Sequence, residues 1–460
     1  MGKLRFLIAV MVAKAAQIAL RVIGRGSNTP GIIALKICPD ALARFVLPKT
    51  VICVTGTNGK TSCSNLITTA LRGWGKRVIN NSEGSNMAPG LVSALVKECS
   101  LGGKTKADIA VFEVDERSSQ YIYPHFTPDF IVCTNLFRDS IMRNGHSEFI
   151  FDKINDYLPE KTALVLNGDD VISGMLGKGK NNRVFFSVEG TDRSSDVCVN
   201  TVCDAIACPV CLHRLNFDFY HYHHIGHAHC SECGFALPDA KYKAVSVDFE
   251  SGSFTFSDGI GEITLPIPAD SLFNVYNFSA AAAVCREVGV ALEELPALLT
   301  DVSSKTGRFG SFSVGNRSVF SLLFKDQNPI SGSQSLAYVG RISGEKDVVL
   351  MITDPKITRG CEDISWLFDV DFDSLRSPDV KNIFIGGLRG YDVALRLSLV
   401  GVDENKIHLY PDYDELISAV CEKALQSGSL AIFFSLYSMP IANRLKAALS
   451  DSAKEGALNE

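Results

Sequence analysis

The run Gly56-Thr-Asn-Gly-Lys60-Thr61-Ser62 puts two glycines, a lysine and three hydroxyl side chains into seven consecutive positions. It follows the apolar run Val51 to Thr55 and precedes a helical pattern from Thr61 to about Trp74. At a strand-to-helix turn, backbone N–H groups and the helix N-terminus point at a phosphate. Gly56, Thr57, Asn58, Gly59 and Ser62 would line such a site, Lys60 would reach the terminal phosphates, and Thr61 would offer its hydroxyl to Mg²⁺. The full phosphate-loop pattern has a glycine where this chain has Val54, so the loop alone also fits an ordinary glycine turn. Strand, loop and helix in register favour nucleotide binding. Downstream, Phe112-Glu-Val-Asp-Glu116 closes another apolar run, at the strand end where parallel sheets present carboxylates to a ligand crevice. Glu113 is the first candidate for a magnesium ligand and Glu116 the second, against the plainer reading of solvated acids at a strand end.

Cys208-Pro-Val-Cys211 and Cys230-Ser-Glu-Cys233 form two C-x₂-C pairs separated by eighteen residues. Each pair can present two thiolates to one tetrahedral ion, and a hairpin between them would bring the pairs together, which is the pattern of a zinc ribbon. Four thiolates leave no open coordination position, so Zn²⁺ held by Cys208, Cys211, Cys230 and Cys233 is expected to be structural. Five of the nine histidines fall between His221 and His229. They read either as unliganded hairpin residues or as replacements for a thiolate.

The elements that must position these groups are legible as alternation. Apolar runs at 51–55, 109–114, 130–134 and 163–166 alternate with amphipathic or loop segments, which predicts an α/β domain on a mainly parallel sheet. Composition turns abruptly to Cys, His and Tyr between 198 and 235, marking an insertion. Residues 245–267 read as antiparallel strands and 273–288 as an Ala-rich helix. A second α/β pattern starts near Lys346, with strands at 348–352, 383–385 and 430–434 and helices at 391–400 and 413–426, and the boundary between the two falls near 306–310. The expected division is an N-terminal segment over 1–49, a nucleotide domain over 50–310 carrying the insertion at about 198–236, and a C-terminal domain over 311–460.

At 460 residues the chain is long enough for two to four domains of ~100–200 residues each. Its 46% hydrophobic and 21% charged residues exclude a disordered chain, a coiled-coil rod and a collagen-like fibre. A formal charge of −6, and a ribbon with few basic residues beyond Arg214, argue against a nucleic-acid partner. The ten cysteines outside the two pairs are scattered singly, which fits a reducing, cytoplasmic compartment better than a disulfide framework. The N-terminal 24 residues are basic and apolar, but the uncharged run Phe6 to Ala13 is shorter than the ~20 residues a membrane span needs. An amphipathic helix is expected, either packed on the protein's own body or in contact with an anionic membrane surface.

Taken with their order, these motifs resemble a known family. GTNGKTS, FEVDE, TNLFRD (134–139), LVLNGDD (164–170), FNVYNFSAAAA (273–283) and TGRFG (306–310) resemble the central domain of the Mur ligase superfamily. GIIALKICPDAL (31–42), CEDISWLFDVDFDSL (361–375), GGLRGYDVALRLSLVGV (386–402) and FFSLYSMPIANRLK (433–446) resemble the MurT family within it, and the likeness spans nearly the whole chain. The fold this implies is α/β, a Mur ligase-like central P-loop-type ATPase domain with an inserted four-cysteine zinc ribbon, plus a C-terminal Rossmann-like α/β domain. The implied activity is carbon–nitrogen ligation. ATP activates the α-carboxylate of D-glutamate in the lipid II stem peptide, and ammonia from a GatD-type glutamine amidotransferase partner converts it to D-isoglutamine. Carried over by position, Lys60 and Thr61 hold phosphates and metal, Glu113 holds the metal, Asn274 and Asn277 line the nucleotide pocket, and Arg308 contacts the nucleotide. Asp363, with Asp369 as second choice, lends a carboxylate to the partner's Cys–His pair. The chain departs from the family pattern at Met142, within 324–335 and at 353–355. The competing readings are another Mur ligase or folylpolyglutamate synthetase-like amide ligase, and a nucleotide-binding scaffold without catalysis.

Overall fold

A computed structural model describes residues 2–22, 28–139, 145–267, 271–300, 309–325, 328–352, 364–424 and 427–458. The chain forms two compact units, the first made of Met1–Arg138, His146–Val199 and Cys203–Ser304, the second of Asp139–Gly145, Asn200–Val202 and Lys305–Glu460.

In the first unit, β1 (Thr50–Thr55) lies between β3 (Ile109–Glu113) and β4 (Phe130–Cys133), parallel to both. β2 (Val78–Asn80) borders β3, while β5 (Ala163–Asn167) and β6 (Arg183–Val188) continue the sheet beyond β4, all parallel. Strands β9 (Tyr242–Asp248), β10 (Ser253–Ser257) and β11 (Glu262–Pro266) extend it as an antiparallel meander, giving nine strands in the order β11-β10-β9-β6-β5-β4-β1-β3-β2. The central strands are apolar throughout because both faces are covered. On one face, α1 (Gly2–Val22), α2 (Thr29–Ile37) and α4 (Ala88–Glu98) pack together. Phe6, Ala9, Val10 and Ala13 of α1 share a core with Leu91 and Leu95 of α4 and with Cys53 and Phe112 of the sheet. The N-terminal segment is thus built into this unit rather than standing apart from it. α3 (Lys60–Gly73) pairs with the helix Leu272–Val288.

Between β6 and β9 the chain leaves the sheet to form the insertion, whose hairpin is β7 (Asn216–Tyr222) with β8 (Ile225–His229), antiparallel. Its own small core joins Cys208, Leu215, Ala228, Cys230 and Phe235.

The second unit is a six-stranded sheet, ordered β12-β13-β17-β14-β15-β16. β12 (Phe309–Val314) and β13 (Arg317–Leu323) form an antiparallel hairpin. β13, β17 (Gly428–Phe434), β14 (Lys346–Met351), β15 (Val380–Gly386) and β16 (Ile407–Tyr410) run parallel. Helices cover both faces, with Leu336, Trp366 and Leu397 in the core on one side and Leu416, Val420 and Leu445 on the other. It is a doubly wound α/β arrangement.

Candidate nucleotide site and metal centre

The glycine loop sits where β1 ends and α3 begins, and two of its glycines have no substitute. Gly56 has φ +123°, and a Cβ there would lie 2.3 Å from Thr134 Oγ1; Gly59 has φ +86°, and a Cβ there would lie 2.2 Å from Asn277 Oδ1. Only glycine combines a left-handed backbone with such close approach. α3 has no acid in its first turn, so its positive end is left to an anion.

Residues 134–137, leaving the end of β4, clasp this loop. Asn135 Oδ1 accepts from Asn58 N–H at 3.0 Å, Thr134 Oγ1 donates to the Asn58 carbonyl at 2.6 Å, and Thr57 N–H donates to the Asn135 carbonyl at 2.8 Å. Phe137 N–H donates to Thr57 Oγ1 at 2.9 Å, and that hydroxyl donates to the Phe137 carbonyl at 3.1 Å. Sequence reading quoted these residues only as a family motif. The signal available to it was a cluster of hydroxyl and amide side chains at the end of a strand adjoining β1.

Lys60 is buried and points back into the loop. It donates to the Gly56 carbonyl, to the Thr57 carbonyl at 3.4 Å and to Glu116 Oε1 at 2.8 Å. Burial weakens the lysine's hold on its proton, but Glu116, helped by Glu113 and Asp115, more than offsets that and raises its pKa above the ordinary lysine value. Lys60 is therefore cationic, with the Glu116 carboxylate and two loop carbonyls as its partners. Of the two acids singled out from sequence, Glu116 meets Lys60 directly. Glu113 is half-buried, its Oε1 accepting from Asn86 at 3.1 Å and its backbone anchored to Asn81 through bonds of 2.8 and 2.9 Å. Thr61 and Ser62 lie half-exposed on the first turn of α3. Asn277 is buried against Gly59, and Asn274 is one turn earlier on the same helix. Arg308, Asp363 and Met142 lie outside the described residues, as does 353–355. A buried ammonium group, a helix N-terminus with no acid in its first turn, a hydroxyl and two carboxylates form a donor set that fits a magnesium nucleotide.

The tip of the ribbon hairpin forms one wall of this region. Tyr222 pairs with Ile225 across a two-residue turn, His223 adopts φ +51°, and both His223 and His224 are fully buried. Phe137 packs on His224 with ring centroids 4.4 Å apart and on Tyr222 at 6.2 Å. His224 Nε2 lies 3.3 Å from Asp170 Oδ1, and Asp170 Oδ2 accepts from Leu136 N–H at 2.7 Å. The neighbouring Asp169 accepts from Tyr276 Oη and from Val188 N–H, both at 2.7 Å, yet burial pushes its carboxyl up to about 7. Of the hairpin histidines, His223 and His224 therefore pack beside the residues that clasp the glycine loop, which their position near a four-cysteine cluster did not suggest.

At the other end of the insertion the four cysteines converge, their sulfur atoms all within 4.8 Å of one another. Cys208 and Cys233 are 3.6 Å apart and Cys211 and Cys230 3.5 Å apart, close to the ~3.8 Å edge of a tetrahedron with 2.3 Å metal–sulfur bonds. The two knuckles share a backbone form, since Leu212 and Gly234, each following a second cysteine, have φ +65° and +70°. Burial opposes ionisation of Cys208, but N–H groups of Cys211 and Val210 and the neighbouring thiols bring it down to about 7. Among the described residues this is the one cluster of three or more Cys, His, Asp or Glu side chains able to hold a metal ion among themselves, and no histidine belongs to it. His221 instead bonds Ser194 and the Val188 carbonyl, and His227 bonds Asp218.

In the second unit, the turn Ser365–Asp369 is pinned by buried Arg396, which donates to the carbonyls of Leu367 and Val370 at 3.2 Å. Asp369 stands half-exposed at the end of that turn. Beside it, Phe368 is 48% exposed, and the helix Gly390–Leu399 displays Tyr391, Leu395 and Leu399 at 66, 57 and 61%.

Comparison with known proteins accords with this geometry. The Mur ligase middle domain matches residues 54–285, and the MurT ligase C-terminal domain matches 326–439. The lipid II isoglutaminyl synthase (glutamine-hydrolyzing) subunit MurT of Staphylococcus aureus is 32% identical over 86% of this chain and 88% of its own. The protein of the same name from Streptococcus pneumoniae is 26% identical over 91% and 92%. Among solved structures, a pseudomurein peptide ligase type C from Methanothermus fervidus superposes with a TM-score of 0.68 at 19% identity, covering 89% of this chain and 81% of that one, a likeness of fold. Both family domains lie on one chain whose relatives match it over most of their length, and the chain belongs to the MurT family of Mur ligases.

Proposed function

We propose that the chain is the ligase subunit that amidates the α-carboxylate of D-glutamate in the lipid II stem peptide, giving D-isoglutamine. The observation that carries this reading is similarity over both domains at once to relatives bearing the synthase name. In the reaction, a carboxylate oxygen of the substrate attacks the γ-phosphorus of ATP, ADP leaves, and an acyl phosphate results. Ammonia then attacks the acyl carbon, the bond to the bridging oxygen breaks so that phosphate leaves carrying the carboxylate oxygen that had attacked phosphorus, and the nitrogen sheds a proton. The chain's part is mainly positioning and charge stabilisation. Loop 56–59 and the α3 N-terminus hold the phosphates, and Lys60 exchanges Glu116 and the loop carbonyls for phosphate oxygens. Asn274, Asn277 and Arg308 enclose the nucleotide. Mg²⁺, when bound, neutralises charge between phosphates, and Thr61 and Glu113 would hold it, with Glu116 available once Lys60 has turned away. Zn²⁺ in the four-cysteine cluster would be structural, with no open position.

Ammonia comes, in this reading, from a GatD-type glutamine amidotransferase. Its docking face is the exposed apolar stripe Tyr391, Leu395 and Leu399 with Phe368, and Asp363, or failing it Asp369, completes the partner's Cys–His pair. The chain acts in the cytoplasm and meets the membrane through α1. Purified chain incubated with ATP, lipid II and ammonium should yield ADP and a lipid product in which NH₂ has replaced OH. Ligation of an amino acid instead would indicate a folylpolyglutamate synthetase-like enzyme, and nucleotide binding without turnover a scaffold.

A further inference from the structure

We infer that α1 is a docking helix for an anionic lipid bilayer, lying in the interface along one outward stripe of apolar side chains. A surface helix ordinarily hides one apolar face and turns a polar one to water. α1 does not. Phe6, Ala9, Val10 and Ala13, spaced i, i+3, i+4, i+7, are buried against the first unit, and on the far side Leu4, Ile8, Met11, Val12 and Ile18 are 64, 40, 41, 43 and 68% exposed. At about 100° per residue, these five fall within one arc opposite the buried face. The helix therefore has two apolar faces, and the fold supplies a cover for one. No described helix is long and apolar enough to cross a membrane, so the second face suits lying on a bilayer rather than spanning it. An open groove of about 600 Å³ between the first turns of α1 and the end of α2, lined by Leu4, Ile8, Ile37 and Pro39 with Arg5 and the ion pair Asp40–Arg44 at its edge, continues the stripe.

Charge selects the occupant. Met1 to Ile37 contains six basic residues, Lys3, Arg5, Lys14, Arg21, Arg25 and Lys36, and no acid, whereas the rest of the chain carries 39 basic against 51 acidic side chains. On the helix, Lys3 and Lys14 flank the stripe on one side and Arg5 on the other; Lys14 and Arg5 also donate to the carbonyls of Val96 and Ile37, which holds their charges at the borders of the stripe while the apolar side chains point outward between them. The same charge pattern repels a second copy of the helix. A bilayer with anionic headgroups satisfies both the stripe and the cations.

This deepens the membrane contact of the proposed function without depending on its chemistry, and the two fail separately. The whole chain is sedimented with vesicles of phosphatidylcholine alone, or with about a third phosphatidylglycerol, with no substrate present. The expected result is binding to the anionic vesicles, little to the neutral ones, and release by high salt. Leu4→Glu with Ile18→Glu, at two freely exposed positions, should lower that binding at least about tenfold while leaving thermal stability and amidation of a detergent-solubilised substrate unchanged. Equal vesicle binding by the variant, absence of binding to anionic vesicles, or a wild-type dimer that the variant loses would each overturn the proposal. A wild type that binds vesicles but does not amidate would sink the enzymatic reading and leave this one standing.

Discussion

Lys60 and Cys208 are both buried in the first unit, and their surroundings differ in kind. Lys60 already has an opposite charge at 2.8 Å and carbonyls at hand. Cys208 has three other thiols and no cation. A buried charge with a complete set of replaceable partners belongs to a site that exchanges them for a ligand, since the present partners keep the group ionised without committing it. A buried cluster of like groups is incomplete until an ion joins them, and its ordered backbone then depends on that ion. In the proposed function the first arrangement serves turnover and the second holds an ion. The hairpin tip, reaching Phe137 and Asp170 from the ribbon, joins them mechanically.

The largest test acts on the exchangeable partner. Lys60→Ala should reduce amidation on the order of 10³-fold or more, because the ammonium stabilises charge that grows on the transferred phosphoryl group. It should also cost about 3–5 kcal/mol of stability by leaving Glu116 buried and unpaired. Adding Glu116→Gln should restore the melting temperature but not the rate. Recovery of both would mean that the lysine is a structural counter-ion only.

Next in size is the ribbon. Cys208→Ser with Cys230→Ser should abolish binding of about one zinc per chain and lower the melting temperature by several degrees. Nucleotide affinity should fall too, though less, because the hairpin tip would lose its anchor. Zinc retained in full by the double variant would refute the four-thiolate site, and unchanged nucleotide affinity would separate the two regions.

A smaller and more selective effect is expected in the second unit. Asp363→Asn should spare amidation driven by free ammonia and sharply lower both glutamine-driven amidation and the partner's glutaminase rate, since a neutral amide cannot fix the imidazole tautomer as a carboxylate does. If glutaminase activity is unaffected, Asp369→Asn should show that pattern instead. Equal loss with either nitrogen source would assign the residue to the ligase site or to the fold.

The smallest effect is a slope with pH. Burial raises the Asp169 carboxyl to about 7, above its ordinary value of 3.8, so the folded state holds a proton that the unfolded chain has released between those values. Its contribution to stability is therefore fully present below about pH 4 and is lost as pH rises through about 7. Asp169→Asn should gain on the wild type over that range in urea titrations, and a stability difference that stays constant with pH would contradict the raised carboxyl.

What could be read from the sequence was local. The glycines, lysine and hydroxyls of 56–62 lie within one short loop, and C-x₂-C pairs hold their geometry through the knuckle itself, so spacing pointed to a phosphate loop and to a four-thiol cluster, which the fold does bring together. Apolar runs announced the strands because a parallel sheet covered on both faces tolerates little else. Pairing across the chain could not be read this way. That Glu116 rather than Glu113 meets Lys60, that residues 134–137 clasp the loop from the neighbouring strand, and that His223 and His224 are buried in its wall depend on β4 lying beside β1 and on where the hairpin folds back. Those are long-range choices made by packing, which local propensity does not encode. The same holds for α1. Its sequence determined a basic, apolar helix, but only the tertiary structure decided which stripe is covered by the sheet's helices and which is left facing outward, because that follows from the shape of the core it packs against.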